Sequence, residues 1–179
     1  MMATRAASLF GRADALEQRL CRRLNRGCHS PRVLDLFRIV SRLGDGIVWY
    51  LLLLMIPVWY GERGLKPALL MAVVMLGGAG LYRLVKERLV RERPYITFDD
   101  ILAGTVPLDR YSFPSGHTLH AVAMTMLATA YFPELGWLLV PFAALVAASR
   151  VVLGLHYPTD VLAGAALGAG LAGAALSLA

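Results

Sequence analysis

The sequence predicts an all-α fold: an integral-membrane helical bundle of five transmembrane helices, preceded by an N-terminal amphipathic helix at the interface. Three observations carry that prediction. Of 179 residues, 58% are hydrophobic and 17% charged, with mean hydropathy +0.59; this composition belongs to the membrane class. Five stretches, 46–60, 67–82, 118–132, 135–148 and 161–179, contain no charged residue. Trp49, Tyr50, Trp59, Tyr60 and Trp137 lie near the ends of these stretches, as an interfacial aromatic belt does. The apolar content excludes a disordered chain, and two cysteines exclude a disulfide scaffold.

The elements follow in order. Arginines 12, 19, 22 and 23 interrupt the region where a secretory signal would need its apolar core. Leu9, Ala13, Leu16, Leu20 and Leu24 recur at helical spacing with arginines between them, the pattern of an amphipathic helix on a membrane surface. Nine of the eighteen basic residues precede Gly44. Beside such apolar stretches the fitting anionic partner is a bilayer surface, not nucleic acid. Cys21 and Cys28 match no zinc spacing and read as free thiols. Ser30-Pro31 reads as a helix start, with Val33, Phe37 and Val40 on one face. Gly44 and Gly46 flank Asp45 before the first apolar stretch. Residues 1–42 therefore form an arginine-rich amphipathic segment, and 43–179 a membrane-embedded domain. Several stretches are shorter than the roughly 20 residues that span a bilayer, which flanking residues and local thinning accommodate. Gly164, Gly168 and Ala172 form a small-residue stripe suited to close helix packing.

If all five stretches cross, the polar breaks 83–117 and 149–160 fall on one side of the membrane. Three groups then converge. Lys86 and Arg93, followed by Pro94, are seven residues apart and share a face if the helix persists. Ser115-Gly116-His117 opens the third stretch, with a capping serine and backbone N–H groups suited to phosphate. Arg150 closes the fourth stretch, and His156 stands four residues before Asp160, within imidazole–carboxylate reach. Each group alone also reads as ordinary interfacial structure. Together they gather three cations, two histidines and one carboxylate around a site for one strongly anionic group. No cluster of cysteines or carboxylates offers a metal site, and no cofactor is expected.

The expected chemistry is phosphoryl transfer. His156 attacks phosphorus and forms a phosphohistidine, Asp160 holds the other ring nitrogen, and His117 protonates the leaving oxygen. Lys86, Arg93 and Arg150 clamp the phosphate oxygens, with Ser115 and the Gly116 amide adding hydrogen bonds.

These residues resemble the type 2 phosphatidic acid phosphatase superfamily, whose patterns K-x6-R-P, P-S-G-H and S-R-x5-H-x3-D stand as Lys86…Arg93-Pro94, Pro114-Ser115-Gly116-His117 and Ser149-Arg150…His156…Asp160. The resemblance implies a helical membrane core, metal-independent dephosphorylation and a lipid phosphate substrate. Many members have six spans; five spans plus an interfacial helix resemble the short bacterial forms acting on undecaprenyl diphosphate. Undecaprenyl diphosphate, phosphatidylglycerol phosphate and phosphatidic acid all fit. The resemblance implies the bacterial inner membrane with the site facing the periplasm. Charge points the other way: sixteen Lys and Arg residues share the active-site side, against Arg63 and Lys66 on the other, which by the positive-inside rule is the cytoplasmic pattern. The site is expected to face the periplasm.

Two other functions use the same residues: a phosphotransferase passing phosphate to a lipid or sugar, and a non-catalytic protein binding anionic lipids. The related vanadate haloperoxidases are soluble, so the apolar stretches exclude them. His120 is expected either to touch the substrate or to line the bundle, the second reading being preferred, and His29 to lie on the surface. Asp99, Asp100 and Asp109 are expected either to gate the headgroup or to form a solvated loop. The sequence sets no oligomeric state.

Overall fold

The computed structural model describes residues 2–107 and 109–179, with side chains described from Asp14 onward. Among the described residues the regular elements are all helical. Helix α1 (Met2–Asn25) leads through a tight turn to α2 (Pro31–Arg42), which runs on through Leu43–Ile47 into α3 (Val48–Tyr60). Next come α4 (Glu62–Arg88), a loop with one short turn α5 (Pro94–Thr97), α6 (Gly116–Tyr131), α7 (Gly136–Val152) and α8 (Pro158–Leu178).

Local chemistry sets the boundaries. Pro31 and Pro158 occupy first-turn positions of α2 and α8, where the missing N–H costs nothing. Ser115 caps α6 by accepting from the Thr118 N–H. Gly61, at φ +59°, reverses the chain between α3 and α4.

Four helical runs are long and apolar enough to cross a membrane: Pro31–Tyr60, Glu62–Arg88, Pro133–Val152 and Pro158–Leu178. Their outer faces expose Leu54, Leu69, Val73, Leu76, Leu138 and Leu162, a surface that suits lipid rather than water. The first run begins at Pro31, not at 46 as the charge-free stretch suggested. Its polar half is α2, and a kink joins the halves: Asp45 departs from helical geometry, and Gly46 takes φ +121°.

The stretch 118–132 becomes α6, whose 16 residues reach about 24 Å at 1.5 Å each. It is the axle of the bundle. Leu119, Ala121, Ala123, Met124, Leu127 and Ala128 are fully buried, with α4, α7 and α8 packed around them. Helix α8 approaches α6 along the glycine stripe. A Cβ at Gly164 or Gly168 would collide with the carbonyl oxygens of Ser115 or Leu119.

Helix α1 docks by an unexpected face. Leu16, Leu20 and Leu24 point outward, while Glu17, Cys21 and Asn25 are buried. Leu9 and Ala13 of the same apolar row lie outside the described side chains. Asn25 donates to the carbonyls of Leu102 and Val152 at 2.9 Å each, so α1 is stitched to the loop and to α7. Cys21 and Cys28 are free and buried.

Candidate active site

Helix α4 ends at Arg88, so Lys86 and Arg93 share no helical face. They converge because the chain after α4 doubles back. The Ser112 N–H donates to the Arg91 carbonyl at 2.7 Å, and Glu92 pairs with Tyr111 in an isolated bridge. Both cations meet Asp109: Lys86 Nζ lies 2.6 Å from Oδ2, and an Arg93 terminal nitrogen 2.9 Å from Oδ1. Tyr82 also donates to Asp109, at 3.1 Å. Burial opposes ionisation of Asp109, but the hydrogen bonds from Lys86 and Arg93 outweigh it, and its carboxyl titrates below the usual range. The other terminal nitrogen of Arg93 donates to the Leu155 carbonyl at 2.8 Å and lies 3.3 Å from His156 Nε2.

The loop carrying His156 is held on both flanks. The Arg150 carbonyl accepts from Leu155 N–H at 3.1 Å and His156 N–H at 3.0 Å, while Tyr95 N–H donates to the Gly154 carbonyl at 3.3 Å. Gly154 adopts φ +71°, and a Cβ there would lie 2.5 Å from the Leu102 carbonyl oxygen. No other residue fits this turn without strain. His156 is 3% exposed. A guanidinium only donates, so the Arg93 contact assigns the lone pair to Nε2 and the proton to Nδ1. Burial pushes the His156 pKa down to about 4; Asp160 opposes this shift, while Arg150 and Arg93 add to it. The imidazole is therefore neutral at pH 7.

Asp160 is fully buried, but its carboxylate stops 3.7 Å from His156 Nδ1, longer than a hydrogen bond. Nδ1 has no hydrogen-bond partner. Stronger donors claim the carboxylate. The Tyr157 N–H donates to Oδ2 at 2.8 Å, which closes the cap of α8, and Arg91 donates to Oδ1 at 2.8 Å.

Arg150 is 5% exposed. One terminal nitrogen donates to Ser41 on α2, and its Nε has no partner. Ser115 Oγ is engaged with Thr118 Oγ1 at 2.9 Å. The Ser115 N–H donates to the Asp160 carbonyl at 3.0 Å, tying the start of α6 to the start of α8. Gly116 lies under the Tyr82 ring, which a Cβ would meet at 3.0 Å. His117 Nε2 is 3.2 Å from Asp45 Oδ1, presented by the kink between α2 and α3. His117 and Asp45 stand between two cavities. One, about 550 Å³, is lined by Arg38, Arg42 and Arg150. The other, about 280 Å³, runs between α3 and α4 past Trp49, Tyr50 and Leu76.

The structure thus brings Lys86 and Arg93 together at Asp109, joins Arg93 to His156, and sets Arg150 with His117 on one cavity. Sequence reasoning missed Arg91, Glu17, Tyr82 and Ser41 entirely. It noted Asp45 only as a residue between glycines; a lone carboxylate at the mouth of an apolar stretch was the available signal. His120 has its ring nitrogens 3.0 Å and 3.1 Å from the Gly116 and Met75 carbonyls and also borders the cavity between α3 and α4. His29 is exposed. Asp100 pairs with Arg22 of α1 at 2.7 Å. Among the described residues, no group of three or more His, Cys, Asp or Glu side chains is gathered for a metal ion.

The chain has relatives that match both sequence and fold. The PAP2 superfamily profile matches residues 67–179. Undecaprenyl-diphosphatase BcrC of Bacillus subtilis is 28% identical over 136 residues, covering 75% of this chain and 69% of the relative. Decaprenylphosphoryl-5-phosphoribose phosphatase of Mycobacterium tuberculosis is 32% identical over 143 residues, covering 78% and 76%. The transmembrane PAP2-type phosphatidylglycerolphosphate phosphatase of Bacillus subtilis superposes with a TM-score of 0.76 at 25% identity, over 93% of this chain and 85% of that one. LpxE of Aquifex aeolicus gives 0.77 at 26% identity, over 89% and 93%. With its apolar helices of spanning length, the protein is a multi-pass membrane protein. On the match over residues 67–179 and on these relatives, the chain belongs to the PAP2 superfamily and is a phosphatase of that family.

Proposed function

We propose that the protein is an integral-membrane lipid phosphatase that removes phosphate from a lipid monoester or diphosphate through a phosphohistidine. The observation that carries this reading is the His156 ring: its lone pair faces Arg93 at 3.3 Å, its N–H faces Asp160, and its surroundings keep it neutral.

In the first step His156 Nε2 forms a bond to phosphorus while the bond from phosphorus to the lipid oxygen breaks, and His117 gives that oxygen a proton. Arg93, Arg150 and Lys86 hold the other phosphate oxygens, with Ser115 and the Gly116 N–H at the start of α6. Asp160 stabilises the positive charge that develops on the imidazole. In the second step water attacks phosphorus, His117 takes its proton, the N–P bond breaks and inorganic phosphate leaves. A phosphate entering the site displaces the Asp109 carboxylate from Lys86 and Arg93, and the Arg93 hydrogen bond from Nε2.

The substrate read as the best fit is undecaprenyl diphosphate, supported by the relative BcrC; phosphatidylglycerol phosphate and phosphatidic acid fit the same pocket. The lipid tail lies in the cavity between α3 and α4. Helix α6 serves as the fifth span, residues 1–42 as the interfacial segment and 43–179 as the catalytic domain, in a bacterial inner membrane with the site toward the periplasm. Labelling a cysteine introduced at Ser112 with an impermeant reagent in intact cells tests the side. A panel of lipid phosphates assayed in detergent tests the reaction. Phosphate release abolished in His156→Ala is expected, and near-normal release in that variant overturns the assignment.

A further inference from the structure

Glu17 is a carboxylate on an interfacial helix, yet it is 8% exposed. One of its oxygens accepts from the Thr159 N–H at 2.9 Å and from the Thr159 hydroxyl. The other accepts from Arg91 at 2.6 Å. Arg91 continues the line. Its second terminal nitrogen donates to Thr159 Oγ1 at 2.7 Å and to Asp160 Oδ1 at 2.8 Å, and its guanidinium lies 3.7 Å over the Tyr157 ring. Four side chains therefore run in series from the N-terminal helix to the nucleophile: Glu17, Arg91, Asp160, His156.

We propose that Arg91 and Glu17 are positioning residues for the reaction, Glu17 steering the Arg91 fork so that Arg91 fixes how Asp160 faces His156. This rests on the phosphohistidine reading above. Asp160 has two oxygens and two fixed donors, Arg91 on Oδ1 and the Tyr157 N–H on Oδ2. With both in place, Oδ2 is left aimed at Nδ1 across 3.7 Å. Neither Arg91 nor Glu17 touches the phosphate site; both act through Asp160. Thus α1 does more than lie on the membrane, because one of its side chains completes the support of the catalytic carboxylate.

Charge gives the proposal a signature that plain packing lacks. The groups facing His156 are Arg93 in the loop, Arg150 on α7, His117 on α6 and Asp160 on α8. Those facing Asp160 besides His156 are Arg91, Tyr157 and Cys21 of α1; burial pushes the Cys21 thiol up to about 12 and raises the Tyr157 phenol as well, so both stay neutral. Arg91 offsets part of the Asp160 charge felt by His156, and Glu17 offsets part of Arg91. Removing Arg91 makes His156 easier to protonate. Removing the Glu17 charge makes it harder. The two substitutions therefore move the acid limb of kcat/KM in opposite directions.

The test uses full-length protein and undecaprenyl diphosphate in detergent micelles, reading phosphate release against pH. Arg91→Gln is expected to shift the acid limb up by ~0.5–1 unit and Glu17→Gln to shift it down by about half as much. The kcat of Arg91→Gln falls ~10–100-fold, with KM held within about threefold. Arg91→Lys keeps the charge but loses the fork. It guards against a misfolded Arg91→Gln: its limb stays near that of the wild type, while kcat is recovered only in part because the ammonium cannot hold Glu17 and Asp160 at once. Limbs that do not move, or that move the same way in both neutral variants, overturn the proposal even if activity drops. An active wild type silenced by His156→Ala keeps the phosphatase reading intact in that event. A His156→Ala variant that still releases phosphate sinks both.

Discussion

The two histidines differ in how far water reaches them, though both rings are largely buried, the His117 side chain being 12% exposed. His156 is 3% exposed, on a loop pinned by backbone hydrogen bonds, beside a fully buried Asp160. His117 borders two cavities, and its partner Asp45 has a side chain 48% exposed. The contrast fits the roles proposed for the two rings. A nucleophile needs one tautomer, one orientation and no competing water. A group that first gives and then takes a proton must reach both the leaving oxygen and the incoming water. The fold therefore spends its rigid contacts on α8 and the loop before it, and places the kink of the first span against the open side.

The comparison breaks most sharply at His156. His156→Ala is expected to lower phosphate release at least ~10⁴-fold; a loss below tenfold would mean the dry side holds no nucleophile. The pH profile probes the same ring in the wild type. In the proposed reaction His156 attacks when neutral, and burial depresses its pKa to about 4. Activity should persist through the ordinary histidine range and decline only as the pH falls toward that value. His117→Asn comes next, with kcat reduced ~10²–10⁴-fold. A leaving group that needs no proton, such as p-nitrophenolate, should narrow that deficit, and an undiminished deficit would remove the acid role from the open side. Asp45→Asn is expected to cost only ~10-fold in kcat, because its partly exposed pair with His117 is screened by water. The smallest effect is at Asp109. Asp109→Asn frees Lys86 and Arg93 from a competing carboxylate, so KM should fall by ~2–5-fold with kcat nearly unchanged; a rise in KM would show that Asp109 helps to hold substrate.

The helical architecture was legible because lipid-facing surface is written directly in uncharged runs such as 67–82 and 161–179. So were the convergence of the three motif groups and the stripe of Gly164 and Gly168, whose close packing on α6 depends on the absence of side chains. The continuity of the first long helical run was not legible, because α2 has one polar face and reads as a surface helix until Asp45 and Gly46 are seen as a kink. Lys86 and Arg93 do meet, but through a turn after Arg88, whereas their seven-residue spacing suggested one helix face. The partners of the site were hidden for a common reason: Glu17, Arg91 and Asp109 are charged residues in polar surroundings, and only tertiary contact separates them from solvated ones. The His156–Asp160 spacing signalled proximity, but not that Tyr157 and Arg91 would claim the carboxylate first.

The glycine contacts between α6 and α8 have a mechanical consequence. The Ser115 N–H also bonds to the Asp160 carbonyl at 3.0 Å, so the two rods are tied at the end where His117 and Asp160 lie. A bilayer of different thickness can tilt this pair only as a unit. Turnover should therefore tolerate host lipids of varied acyl length, since His117 of α6 and Asp160 of α8 stay in register on the same rigid couple.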